Sequence, residues 1–79
     1  MFLHIGGDYS VAFQDVLSIH DYEKSLKSAV NRKFIEKNKD KIVNLAGDEP
    51  KTLVVTKDKM YLSAISAVTL KIRAEQRGM

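Results

Sequence analysis

Short apolar runs broken by turn residues open the chain. Phe2-Leu3-His4-Ile5 is cut by Gly6-Gly7-Asp8, which predicts a strand ending in a tight turn, because glycine tolerates positive φ. Tyr9, Val11 and Phe13 then alternate with Ser10 and Ala12, the period of a half-buried strand. Val16-Leu17-Ser18-Ile19 predicts a further strand, entered through Gln14-Asp15. After it the period lengthens. Asp21 suits a helix N-cap, since its carboxylate accepts from unpaired N–H groups of the first turn. Tyr22, Leu26, Ala29, Val30 and Phe34 follow at helical spacing on one face, with charged residues mostly on the others. Ile35 falls off that stripe and is a candidate for a contact between subunits. The helix is expected to end near Asn38-Lys39-Asp40.

The second half reads as strands, then a helix. Ile42-Val43-Asn44-Leu45 predicts a strand, and Gly47-Asp48-Glu49-Pro50 a loop, as Pro50 cannot donate to a ladder. Thr52-Leu53-Val54-Val55-Thr56 is β-branched and nearly uninterrupted, the strongest strand pattern in the chain. Lys57-Asp58-Lys59 predicts a hairpin loop returning through Met60-Tyr61-Leu62. Residues 66–76 satisfy two patterns. Val68, Leu70, Ile72 and Ala74 alternate as in a strand, whereas Ser66 as N-cap followed by strong helix formers favours a short helix. Arg77-Gly78-Met79 is expected to fray. The expected fold is α+β: a small antiparallel sheet of about five to six strands, a central helix and a short C-terminal helix.

Size and composition narrow the classes. A chain of 79 residues is expected to form one domain, residues 1–79, with a single core. No run approaches the roughly 18 apolar residues of a membrane span. No basic-then-apolar leader suggests secretion. Cysteine is absent, which excludes disulfides, thiolate nucleophiles and cysteine-based zinc sites and fits a cytoplasmic protein. A domain this small buries only about 60% of its unfolded surface, so oligomerisation is an expected source of further burial.

The net charge of +3 is unevenly spread. Residues 1–22 hold three acids and no Lys or Arg, whereas residues 23–41 hold seven basic residues against three acids. Such a basic middle segment suits either a phosphate-facing surface or a solvated helix face with Glu partners. Ten of the thirteen basic residues are lysines, point charges better suited to phosphates than to bidentate base contacts.

Catalytic and cofactor chemistry is not indicated. His4 and His20 lie on different predicted strands, where either has Asp8 or Asp21 as a partner across the sheet, but no metal-ligand spacing joins them. No serine has a nucleophile-elbow context. Gly6-Gly7 lacks the remaining glycines of a phosphate-cradling loop, and the adjacent Asp48-Glu49 pair suits a solvated loop. We therefore expect no enzyme, no metal and no cofactor. Tyr9, Phe13, Tyr22 and Tyr61 suit base stacking if exposed, although their alternation favours core or subunit packing.

Four blocks in register over nearly the whole chain resemble one family. They are Phe2-Leu3-His4-Ile5-Gly6-Gly7-Asp8, Asp15-Val16-Leu17-Ser18-Ile19-His20-Asp21, Pro50-Lys51-Thr52-Leu53-Val54-Val55-Thr56, and the run from Tyr61 to Arg73. The chain resembles the small RemA/RemB proteins, regulators of extracellular-matrix (biofilm) genes in Gram-positive bacteria, and is closer to the RemB branch. The resemblance implies a non-enzymatic β-sheet domain that self-assembles into a ring. In the RemA branch the ring presents basic residues to duplex DNA, so that many weak phosphate contacts act together.

This chain departs from that pattern at the DNA-facing positions. RemA-type proteins carry an arginine where Asp15 stands here, and a basic cluster where Asp48-Glu49-Pro50 follows Gly47. Of the second cluster only Lys51 is still basic. Lys57 and Lys59, in the predicted hairpin loop, are candidates for a substitute surface. Two functions stay open: a ring-forming regulator that contacts duplex DNA through Lys51, Lys57 and Lys59, with binding weakened by Lys51→Glu, or an assembly or adaptor module that binds a paralogue or partner protein instead. Neither involves a membrane.

Overall fold

In the computed structural model, which describes residues 1–76, the Gly6-Gly7-Asp8 turn folds the N-terminal hairpin. It joins β1 (Phe2–Gly6) to β2 (Tyr9–Ala12) in antiparallel register. Gly6 and Gly7 sit at φ +142° and +53°, conformations that a Cβ would strain. The expected fraying of Arg77-Gly78-Met79 lies outside the described residues.

The second strand stops earlier than its alternation suggests. Phe13–Asp15 forms one 3-10 turn, and Phe13 packs sideways on the core rather than extending β2. The chain then enters β3 (Val16–Asp21). This strand pairs antiparallel with β5 (Thr52–Thr56), with a bulge between Val16 and Ser18. The bulge leaves Leu17 exposed, as the extra residue of a bulge has no place in the ladder.

β5 returns as β6 (Met60–Ser63) in the expected hairpin. Thr56 closes its loop: the Thr56 hydroxyl donates to the Lys59 carbonyl at 2.6 Å and accepts from the Lys59 N–H at 3.2 Å. The short β4 (Ile42–Asn44) adds to β6 in parallel, so the sheet order is β3-β5-β6-β4. The α+β class is as expected, while the larger sheet is mixed rather than wholly antiparallel. The parallel pair arises because β4 reaches β6 across the whole β5 connection and not through a hairpin.

The sheet carries a core on each face, as period-two alternation requires. Val54, Tyr61, Ile19 and Val43 meet Leu3, Ile5 and Val11 of the hairpin and Leu70 of α3 (Ala67–Glu75). Leu53, Met60 and Leu62 face the other way, against Tyr22, Ile35 and Ile42. Ser66 caps α3, accepting from the Thr69 N–H at 3.2 Å, which resolves residues 66–76 as helix.

The central helix departs most from expectation, because it is two helices. Asp21 caps α1 (Tyr22–Ser25) as anticipated, its carboxylate accepting from the Lys24 N–H at 3.0 Å. The chain then breaks at Leu26-Lys27-Ser28. Ser28 adopts an extended backbone and its hydroxyl caps α2 (Ala29–Lys37) by accepting from the Asn31 N–H at 3.3 Å. A serine hydroxyl competes with the helical ladder in mid-helix and favours a cap.

The break rotates the second segment and splits the apolar stripe. Tyr22 packs inward, but Val30 and Phe34 remain 77% and 49% exposed. Ile35, expected to be the outlier, is instead the α2 residue that packs on the sheet.

Candidate nucleic-acid interface

The three candidate lysines do not converge. Lys51 precedes β5 and Lys57 follows it, so they stand about 20 Å apart along the strand at roughly 3.3 Å per residue. The two ends of the sheet differ in charge.

At the Lys51 end the backbone is pinned. The Lys51 N–H donates to the Ser63 carbonyl at 2.9 Å, and the Lys51 carbonyl accepts from the Tyr22 N–H at 3.0 Å. The Gly47 turn, at φ +65°, is braced by Asn44: its side-chain amide donates to the Gly47 carbonyl at 3.0 Å, and its side-chain oxygen accepts from the Ala46 N–H at 2.8 Å. Together these bonds shape a groove of about 650 Å³ lined by Tyr22, Leu26, Pro50 and Lys51, with carboxylates from Asp21, Glu23, Asp48 and Glu49. Four acidic residues and one lysine thus line the groove. Asp21 and Glu23 belong to a different part of the chain from Lys51, so their effect on it is a product of folding. A phosphate brought to Lys51 meets net negative charge, which repels it.

The opposite end is basic. The Lys57 Nζ lies 3.7 Å from Asp15 Oδ1, and the Lys57 N–H donates to the Asp15 carbonyl at 3.0 Å. Both side chains are about half exposed, so the pair contributes little stability. It does offset the charge of Asp15. Lys59 shares the hairpin loop.

Two further lysines were not legible as neighbours in the sequence. The parallel register starts β4 at Ile42 beside Met60, the first residue of β6. The 3-10 turn Lys39–Lys41 therefore ends at the same edge as the hairpin loop. Lys39, Lys41, Lys57 and Lys59 are all exposed there, interspersed with Asp15, Asp40 and Asp58.

The aromatic residues build no stacking platform. Tyr61 is a core residue, 8% exposed, with its ring centroid 5.2 Å from that of Tyr9 at a tilt of 49°. Burial pushes the Tyr61 phenol above its ordinary pKa, reinforced by the hydrogen bond and the proximity of Tyr9 and by the negative charge of Asp58. Phe13 and Tyr22 are half-buried in the two cores. Tyr9 is the one exposed ring of the four candidates.

The histidines form neither of the anticipated carboxylate pairs. His4 Nε2 donates to the Gly7 carbonyl at 2.7 Å, and His20 Nε2 shares a hydrogen bond of 2.8 Å with the Ser18 hydroxyl. Among the described residues no three His, Cys, Asp or Glu side chains cluster as metal ligands. Among the same residues, no helix is long and apolar enough to cross a membrane.

The sequence matches known proteins over nearly its whole extent. The family model described as RemA-like, extracellular matrix regulatory protein A-like, matches residues 2–74. The chain is 36% identical over 75 residues to extracellular matrix regulatory protein B of Bacillus subtilis (strain 168), covering 95% of this chain and 91% of that protein. A match running from β1 into α3 covers both cores and both charged ends, and on that ground the chain belongs to the RemA-like family of extracellular matrix regulatory proteins.

Proposed function

We propose that this protein is a cytoplasmic regulator of extracellular-matrix genes that assembles into a ring-like homo-oligomer and contacts duplex DNA through its basic sheet end. The observation that carries the reading is the gathering of Lys39 and Lys41 with Lys57 and Lys59 at one edge. The contacts are electrostatic. Lysine ammonium groups neutralise phosphates and release counterions, a term that tolerates any base sequence. In this reading Lys51 touches no phosphate, because its groove is acidic. We assign the chain no catalytic step and no cofactor.

Fluorescence anisotropy with labelled duplex DNA, at low and physiological salt, tests the reading. Binding at both salts is expected, with a log–log slope of about −0.9 for each phosphate neutralised. Lys41→Ala with Lys59→Ala is expected to reduce that slope by about two and to weaken binding to all sequences alike. Lys51→Glu is expected to leave binding unchanged. Loss of all binding at physiological salt would transfer the function to the second reading, an assembly or adaptor module acting through a partner protein. The acidic groove favours that alternative.

A further inference from the structure

We infer that the outward face of α2 is the contact by which one copy of this chain seats on another, docking in the acidic groove of its neighbour. The inference rests on the self-assembly reading and names the two surfaces that would meet.

The first surface follows from the helix break. Positions i, i+3, i+4 and i+7 share one face of a helix, so Val30, Lys33, Phe34 and Lys37 stand together, opposite Ile35. Val30 and Phe34 are 77% and 49% exposed, and no residue of α2 is fully buried. Val30 and the outer half of Phe34, whose inner half lines a cavity of about 290 Å³ with Ile35, Leu53 and Val55, thus meet solvent between two ammonium groups. Single exposed apolar residues are ordinary, but two on one helix face with a charged rim match the anatomy of a small contact surface.

The second surface is complementary in both respects. The groove holds about 650 Å³ between α1, the Gly47–Lys51 loop and the start of α3. Tyr22, Leu26 and Pro50 give it apolar walls, and Glu23, Asp48 and Glu49 give it a negative rim. Asp21 also lines it, but its carboxylate already serves as the α1 cap.

The charges of both surfaces are unspent within one copy. Among the described residues the one ion pair joins Lys57 and Asp15. None of the four residues of the α2 face lines the groove, so a single copy presents both surfaces at once. Such a contact is head-to-tail, and repetition closes it into a ring when the rotation between copies allows. Phosphate is a rival occupant for Lys33 and Lys37, but it gives no role to Val30 and Phe34.

Charge reversal tests this, with mass measured by light scattering after gel filtration and folding checked by circular dichroism. Lys33→Glu with Lys37→Glu, and separately Asp48→Lys with Glu49→Lys, are each expected to weaken self-association about 100-fold or more, because like charges then face each other. All four reversals in one chain are expected to restore the mass of the natural assembly. Natural-sequence protein that assembles, together with reversals that leave its mass unchanged, would overturn the inference and leave self-assembly standing. Natural-sequence protein that stays monomeric over the micromolar range would remove both. Loss of DNA binding by the α2 variant at unchanged mass would make the helix face a phosphate contact and overturn the docking.

Discussion

Replacing Ser63 by alanine should destabilise this domain out of proportion to the one atom removed. Ser63 is 0% exposed and stands on β6 beneath the N-terminal hairpin. Its hydroxyl donates to the Ile5 carbonyl at 2.5 Å and accepts from the Ile65 N–H at 3.0 Å. Ile5 is itself fully buried, so water cannot replace the lost donor. An unsatisfied buried polar group costs about 1–3 kcal/mol. The Ile65 N–H, on a half-buried residue, adds a smaller share. The expected loss is about 2–4 kcal/mol, a large fraction of the roughly 4–12 kcal/mol typical of a domain this size. At about 4–8 °C per kcal/mol, the melting temperature falls by roughly 8–32 °C.

Urea unfolding at one fixed protein concentration measures this, since assembly would otherwise add concentration-dependent stability. Ser10→Ala on the exposed surface of β2 is the control, expected within about 0.5 kcal/mol of the natural sequence. The reasoning would be refuted by a Ser63→Ala variant that also stays within about 0.5 kcal/mol at unchanged m, because the buried hydroxyl would then contribute nothing to holding the hairpin.

Two further expectations rest on single groups. Ser28→Ala removes the α2 cap and should cost about 1 kcal/mol; a gain in helicity and stability instead would show that Ser28 does not set the break. Tyr61 has a phenol pKa raised above the ordinary 10.0 by burial and by its neighbours Tyr9 and Asp58. The folded state therefore holds that proton more tightly than the unfolded state, so its contribution is intact below pH ~10 and is lost as pH rises toward the folded pKa. Denaturation on either side of pH ~10 should show the natural sequence losing stability more steeply than Tyr61→Phe, and equal slopes would contradict the assignment.

What could be read ahead of the structure was local. Asp21 and Ser66 were legible as caps because a cap needs only its own carboxylate or hydroxyl and the next three residues. β5 was legible because its β-branched run suits a strand wherever the sheet places it. The split of the central helix was not, although its signal is present. Ser28 sits within a continuous apolar stripe, and periodicity outvoted a single capping residue. The error inverted the roles of Ile35 and Phe34, since a rotation about the helix axis exchanges inside for outside.

The candidate site was half legible for the same reason. Lys57 and Lys59 announce themselves as a charged hairpin loop. Lys39 and Lys41 join them only through the parallel pairing of β4 with β6, a contact between distant segments. The setting of Lys51 was hidden in the same way. Along the chain its neighbours include two acids, but folding adds two more from the start of α1.

Charge sorting also bears on whether DNA binding and assembly can be separated. The basic end of one copy carries four lysines among three carboxylates, too few for useful affinity at physiological salt by the phosphate term alone. The proposed ring would repeat that end, so that each added copy acts at a high effective concentration once the first has bound. Assembly and DNA affinity should therefore fall together. The groove variant is the sharper probe of this. Asp48→Lys with Glu49→Lys adds positive charge, so a lone copy would bind DNA more tightly than before if each copy acted alone. If binding is collective, the same variant loses affinity while gaining charge, and only the collective mechanism produces that opposition of signs.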